Sequence, residues 1–177
     1  SDLAVITFHM WQSSIANLDC PDRIVFDFDP SIKDDFPRIK YFAKKLRNVL
    51  ENRGYKPFVM TTGSRGLHVS CPIKPILPFK KVKAQIKEIA QEMVDKYPKD
   101  LTIEIRKNKR GTKLFIDILR NQWAQLAVCP YSVRTIDGAP VATPLHWKEL
   151  NNSDLGPQRY TIKNIFRRLS QKECPWK

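Results

Sequence analysis

The segment Arg23–Asp29, RIVFDFD, sets two aspartates into an otherwise apolar strand, and it narrows the possibilities more than any other stretch. Side chains alternate across a β-strand, so residues i and i+2 share a face. Ile24, Phe26 and Phe28 then turn to a core, while Asp27 and Asp29 project together from the other side. Aspartate is a poor strand former, so two on one strand face call for a reason. Leu114–Ile118 repeats the arrangement, with Leu114, Ile116 and Ile118 inward and Asp117 pointing away beside Phe115. If the two strands are neighbours, three carboxylates meet at one spot. Two such charges about 5 Å apart repel by about 3 kcal/mol at an effective dielectric of about 20. Hard divalent cations relieve that repulsion, and a two-metal site is a common device for phosphoryl and nucleotidyl transfer. The plainer reading makes Asp27 and Asp29 solvent-facing acids on a half-exposed strand, and a DxD motif alone does not decide between them.

Around these strands the hydrophobic pattern predicts an α+β fold, a largely antiparallel sheet packed with helices, in one unit over residues 1–177. After a Pro30–Asp35 loop, Phe36–Arg53 has helical spacing in Ile39, Phe42, Ala43, Leu46, Val49 and Leu50. Asp35 and Pro37 suit its start and Gly54 its stop. Lys56–Thr61 and Leu67–Ile73 read as strands around a tight Gly63–Gly66 turn. Pro78–Tyr97 is a second amphipathic helix, and Leu101–Arg106 is open between strand and short helix. Lys113–Leu119 and Gln125–Pro130 read as strands. Beyond Pro140 the chain reads as irregular, apart from a short helix at Ile162–Leu169.

Lysine and arginine number 31 against 18 acidic residues, a formal charge of +13 in a chain of 177 residues. That excess attracts polyanions, nucleic acid above all. Cys20, Cys71, Cys129 and Cys174 stand far apart with no zinc-ligand spacing, which suits buried thiols in a reducing cytoplasm. No run approaches the roughly 18 apolar residues of a membrane helix. The first residues have no secretory pattern and begin directly on a strand-like segment, which suggests a piece of a longer chain.

Thr61–His68, TTGSRGLH, packs glycines, hydroxyls, an arginine and a histidine into one turn. Glycines let backbone N–H groups approach a ligand and cradle phosphate oxygens, and Arg65 adds a charge-assisted contact. His68 shares a strand face with Ser70, while Leu67, Val69 and Cys71 face inward, so a core histidine is disfavoured. The turn is not a P-loop, and an ordinary hairpin would also accept Gly-Ser-Arg-Gly. Arg120–Asn121 and Pro130–Arg134 are further candidates, since an arginine could balance triphosphate charge.

Together FHMW, RIVFDFDPS, TTGSRGLHV, KRGTKLFIDILRNQ, AVCPYSVR, GAPVATPLHWKEL and ECPW resemble, in order and spacing, the polymerase domain of bacterial ligase D. That family is a branch of the archaeo-eukaryotic primase superfamily. The resemblance implies a primase-like catalytic core in which Asp27, Asp29 and Asp117 are metal ligands for two divalent ions, Mn²⁺ or Mg²⁺. It implies a triphosphate pocket of Thr62, Gly63, Ser64, Arg65, Gly66 and His68, with His9, Arg120 and Arg134 as further active-site residues. The activity implied is nucleotide addition, favouring ribonucleotides, at DNA ends or gaps during double-strand break repair by end joining. The implied partners are DNA, nucleoside triphosphates, Ku and a DNA ligase, in the cytoplasm of a bacterium or archaeon at the nucleoid. Serine is usual at the Thr62 position, lysine at Arg65 and FDLDP in place of FDFDP. Most of the family's N-terminal part, which grips the 5′-phosphate of a break, is absent from these residues.

Two other classes fit part of the pattern. A phosphatase of the haloacid-dehalogenase type also places DxD after a strand, but Thr or Val usually follows its second aspartate and Pro30 stands here. A non-catalytic nucleic-acid-binding module explains the charge and leaves three placed aspartates unexplained.

Overall fold

The computed structural model describes residues 5–32 and 35–176. Residues 33 and 34 of the expected Pro30–Asp35 loop lie outside the described residues. The described strands are β1 (His9–Met10), β2 (Arg23–Asp29), β3 (Phe58–Thr61), β4 (Leu67–Pro72), β5 (Leu101–Thr102), β6 (Leu114–Asp117), β7 (Ala127–Val128) and β8 (Thr143–Leu145). The helices are α1 (Phe36–Asn52), α2 (Phe79–Lys96) and α3 (Ile165–Gln171).

Six strands form one sheet in the order β5-β6-β2-β4-β3-β8, antiparallel except for the β5–β6 pair. The expected antiparallel character holds, with β2 near the middle. Ile24, Phe26 and Phe28 are buried against Ile39, Phe42, Ala43 and Leu46 of α1 and Ile86, Ile89 and Met93 of α2 in one core cluster. Both helices therefore cover one face of the sheet. On the other face lies the two-stranded β1–β7 sheet, and Val128 packs there with Met60 and Ala142. No described helix is long and apolar enough to cross a membrane.

Several boundaries differ from expectation, each for a local reason. The ambiguous Leu101–Arg106 is a strand only over Leu101–Thr102, the two residues that pair with Leu114 and Phe115 of β6. Lys113–Leu119 shortens to Leu114–Asp117: Ile118 leaves the extended region at ψ 5°, and a 3-10 turn follows at Leu119–Asn121. Gln125–Pro130 keeps only Ala127–Val128, the stretch paired with β1. Beyond Pro140, read as irregular, the chain adds β8 beside β3, a 3-10 turn at Trp147–Asn151, and α3 in place of Ile162–Leu169.

Arg168 fastens α3 to these pieces. Its Nη1 donates to Glu149 Oε1 at 2.6 Å, and its Nη2 donates to Glu149 Oε2 at 2.8 Å and to the Pro144 carbonyl at 2.9 Å. Burial alone would raise the Glu149 pKa, but hydrogen bonds from Arg168, the His146 N–H and Lys172 hold it down at about 2. A carboxyl depressed from 4.5 to about 2 adds stability that is present above pH 4.5 and is lost as pH falls toward 2. Arg168→Ala leaves Glu149 buried without its partner and should cost about 3–5 kcal/mol at neutral pH. Urea denaturation should show the gap between wild type and variant narrowing below pH 4.5. A gap constant down to pH 2 would mean that Glu149 is not held ionised by this contact.

Candidate active site

The candidate site lies on the face of β2 turned away from α1 and α2. Strand pairing sets Asp27 opposite Asp117 of β6 on one side and opposite His68 of β4 on the other. Directly opposed residues have Cβ atoms about 5 Å apart, so two carboxylates and an imidazole form a row across three strands. His68 Nε2 lies 3.4 Å from Asp27 Oδ2. The expectation that His68 avoids the main core holds, yet its side chain is only 6% exposed, buried on the site face instead. Asp29 extends the row, and Arg65 Nη2 donates to its Oδ1 at 3.2 Å.

Burial raises the pKa of Asp29 above the ordinary carboxylate value; Arg65 opposes the shift and the Asp27 charge adds to it. Burial likewise raises Asp117, with the Leu119 N–H opposing and Asp27 again adding. That N–H donates to Asp117 Oδ1 at 2.7 Å. Among the described residues no three His, Cys, Asp or Glu side chains stand grouped as a ready-made ion site. Asp29 is engaged by Arg65 and Asp117 by a backbone amide, so an ion would have to displace at least the arginine.

β2 meets β6 only over Asp27–Asp29, which leaves the Val25 backbone without a strand partner on that side. Asn121 fills the gap. Its Oδ1 accepts the Val25 N–H at 2.8 Å, and its Nδ2 donates to the Val25 carbonyl at 2.6 Å. Asn121, a sequence candidate for the site, is thus an extension of the sheet, while its neighbour Arg120 reaches the site cavity.

The β3–β4 turn is pinned to the same strand by its glycines. A Cβ on Gly66 would lie 2.1 Å from the Phe28 carbonyl oxygen, so only glycine fits there. Gly63 has φ 67°, and a Cβ on it would meet the Arg134 side chain at 2.9 Å. Arg134 Nη1 in turn donates to the Thr62 carbonyl at 3.2 Å. The amides expected to face a phosphate are partly turned inward: Thr62 Oγ1 accepts the Ser64 and Gly66 N–H groups, each at 3.3 Å. The Ser64 and Arg65 side chains are left facing the cavity.

His9 arrives from β1, which pairs His9 with Val128. The Phe8 N–H donates to Ser132 Oγ at 2.7 Å, which gives the PYSVR segment a second role as an anchor for β1. Burial and the Arg134 charge lower the His9 pKa. All of these groups meet at one cavity of ≈ 220 Å³, lined by His9, Asp27, Asp29, Thr62, Ser64, Arg65, Gly66, His68, Asp117, Arg120 and Arg134, together with Leu126, Ala127 and Val128. Of the triphosphate-turn residues expected at the site, Gly63 alone is not among those lining it, and Asn121 likewise stays outside. A larger hollow of ≈ 420 Å³ lies against α3, where Glu149, Arg168 and Lys172 are engaged with one another and no carboxylates converge.

Sequence reading missed Arg110. It is buried, with its guanidinium 3.6 Å from the Phe115 ring centroid, and it donates to the Glu104 and Ile105 carbonyls, each at 2.7 Å. Phe115 is the partner of Asp29 across the ladder, and the Arg110 charge lowers the pKa of both Asp29 and Asp117. One arginine among 31 basic residues gives no signal in the sequence.

The model of the family described as LigD, primase-polymerase domain, matches residues 1–176. The chain belongs to the LigD primase-polymerase domain family. It is 30% identical over 173 residues to the multifunctional non-homologous end joining protein LigD of Pseudomonas aeruginosa, covering 97% of this chain and 20% of that protein. The bifunctional end joining protein LigD of Bacillus subtilis is 29% identical over 157 residues, covering 88% of this chain and 26% of that protein. The chain therefore spans about a fifth to a quarter of these LigD relatives. Among solved structures, the polymerase domain of Mycobacterium tuberculosis ligase D in complex with DNA superposes with a TM-score of 0.80 at 25% identity, covering 94% of this chain and 58% of that one. Fold and family are those of the LigD primase-polymerase domain.

The raised pKa of Asp117 gives a test on the protein alone. A carboxyl whose folded pKa exceeds its unfolded value costs stability when ionised, and the cost vanishes at low pH. Asp117→Asn keeps an oxygen for the Leu119 N–H and removes the charge facing Asp27. In chelator at pH 7 the variant should melt above wild type, and the difference should shrink as pH falls through the carboxylate range. A variant that melts lower would show that the paired charges are not under strain.

Proposed function

We propose that this domain transfers nucleotidyl groups from nucleoside triphosphates, ribonucleotides preferred, to the 3′ end of DNA at breaks or gaps during end joining. One observation supports this above the rest: three carboxylates, two histidines and three arginines line a single cavity beside a glycine turn. The donor set suits a hard cation, since carboxylate oxygens are what Mg²⁺ and Mn²⁺ prefer. The raised Asp29 and Asp117 pKa values mark the place where added positive charge is most favourable.

In this reading Asp27, Asp29 and Asp117 hold two divalent ions, which when bound polarise the reacting phosphate and lower the pKa of the attacking hydroxyl. Arg65 leaves Asp29 and turns to the triphosphate, with Ser64 supplying a hydroxyl contact and Thr62, whose hydroxyl is engaged within the turn, shaping the wall. Arg120 and Arg134 neutralise charge on the leaving pyrophosphate. His68, beside Asp27, orients phosphate oxygens, and His9 contacts the nucleotide from the opposite wall. Arg110 stays behind Phe115 as a buried cation whose charge favours the ionised form of both Asp29 and Asp117. The basic surface holds the DNA backbone, with Ku and a ligase as working partners, in the cytoplasm of a bacterium or archaeon at the nucleoid.

Primer extension with Mn²⁺ tests the ligands. Asp27→Ala, Asp29→Ala and Asp117→Ala should each abolish nucleotide addition while remaining folded, and Mn²⁺ should raise the melting temperature of wild type but not of these variants. Near-normal extension by Asp29→Ala would remove it from the metal set. Arg65→Ala and His68→Ala should raise the nucleotide KM by about tenfold, about 1.4 kcal/mol, with DNA binding nearly unchanged. The reverse pattern would move the turn into the template groove.

A further inference from the structure

The cavity lacks a place for a base. At ≈ 220 Å³ it falls below the roughly 300–1,000 Å³ of pockets that enclose a whole small ligand, and none of its lining residues is Phe, Tyr or Trp. A nucleotide whose triphosphate lies among these charges must carry its base out through the mouth.

Exposed aromatic surface lies on segments that adjoin the lining residues in the chain. Trp123 sits on the loop between Arg120 and Leu126, both of which line the cavity. Its ring meets that of Trp11 edge-on, with centroids 5.5 Å apart and planes at 70°. Trp11 is two residues beyond His9, another lining residue. Despite the ring contact Trp123 remains 58% exposed, with Leu126 at 39% beside it. The next residue, Ala124, has φ 60°, a left-handed conformation that non-glycine residues seldom adopt. A large apolar side chain is thus left exposed beside a strained turn and propped by a second indole, an arrangement that core packing does not require.

We propose that Trp123, braced by Trp11, is a stacking platform for the nucleobase of the nucleotide whose triphosphate occupies the cavity. This rests on the nucleotidyl-transfer reading of the site. Indole faces stack on any base, so the platform adds affinity without selecting sequence, and it favours purines for their larger ring area. An edge-on partner leaves the exposed face of Trp123 free while fixing its rotamer, so little side-chain freedom is lost when a base arrives.

Calorimetric titration of the protein in Mn²⁺ with ATP, CTP, inorganic tripolyphosphate and a single-stranded oligonucleotide separates the contributions. Wild type should bind ATP about tenfold more tightly than tripolyphosphate, a difference of about 1.4 kcal/mol, with CTP between them. Trp123→Ala should remove that difference and leave tripolyphosphate affinity unchanged, whereas Trp123→Phe should keep most of it. Trp123→Gln, which retains bulk without a ring, should behave as alanine does. Equal losses for ATP and tripolyphosphate would reveal a structural role, and unchanged ATP affinity would show that the base lies elsewhere; either overturns the platform while the triphosphate site stands. Loss confined to the oligonucleotide would assign the ring to the DNA strand and overturn it as well. A wild type that binds neither ATP nor tripolyphosphate would overturn the reading of the cavity and the platform with it.

Discussion

Everything at the site follows from one unfavourable contact, the like-charged pair Asp27 and Asp117 directly opposed across the β2–β6 ladder. Charges of one sign facing each other across strands weaken a sheet. Here the apolar reverse side of the same strands offsets the cost, because Ile24, Phe26, Phe28, Leu114 and Ile116 are almost entirely buried beneath α1 and α2. The register cannot slip to separate the acids, since a one-residue shift of either strand against the other would turn that strand's buried side chains outward. The core fixes the strands, and the strands hold the carboxylates together.

Local devices then protect this arrangement. β6 stops at Asp117, and the Asn121 amide takes over its duty beside Val25, so the ladder ends without a buried unpaired amide. Gly66 lets the β3–β4 turn lie directly on the Phe28 carbonyl, and Gly63 gives Arg134 room to cross. Each device brings a polar group toward β2 without lengthening the sheet. The cavity is narrow for the same reason.

Period-two alternation made β2, β4 and β6 legible, and with them the face on which Asp27, Asp29, His68 and Asp117 would appear. The two long helices were legible from 3.6-residue spacing. What escaped was non-local. β8 has three residues including a proline, and only its place beside Met60 and Thr61 makes it a strand. The β1–β7 pair exists because Ser132 and Cys129 capture the backbone of Phe8, contacts more than a hundred residues apart in sequence. Arg110 was invisible because its place, buried over the Phe115 ring, is set by the fold rather than by any local pattern. The inward turn of the Ser64 and Gly66 amides was likewise beyond a reading that knew the turn only as glycine-rich.

The margins of the six-stranded sheet have a bearing on how such a chain behaves at high concentration. One edge, β5, is two residues long, and the other, β8, carries Pro144, whose carbonyl is already occupied by Arg168. A strand from a second molecule would find on either margin too few free amides and carbonyls to zip onto. The same arginine that tethers the last helix therefore blunts one margin of the six-stranded sheet, where a further strand would find little to pair with.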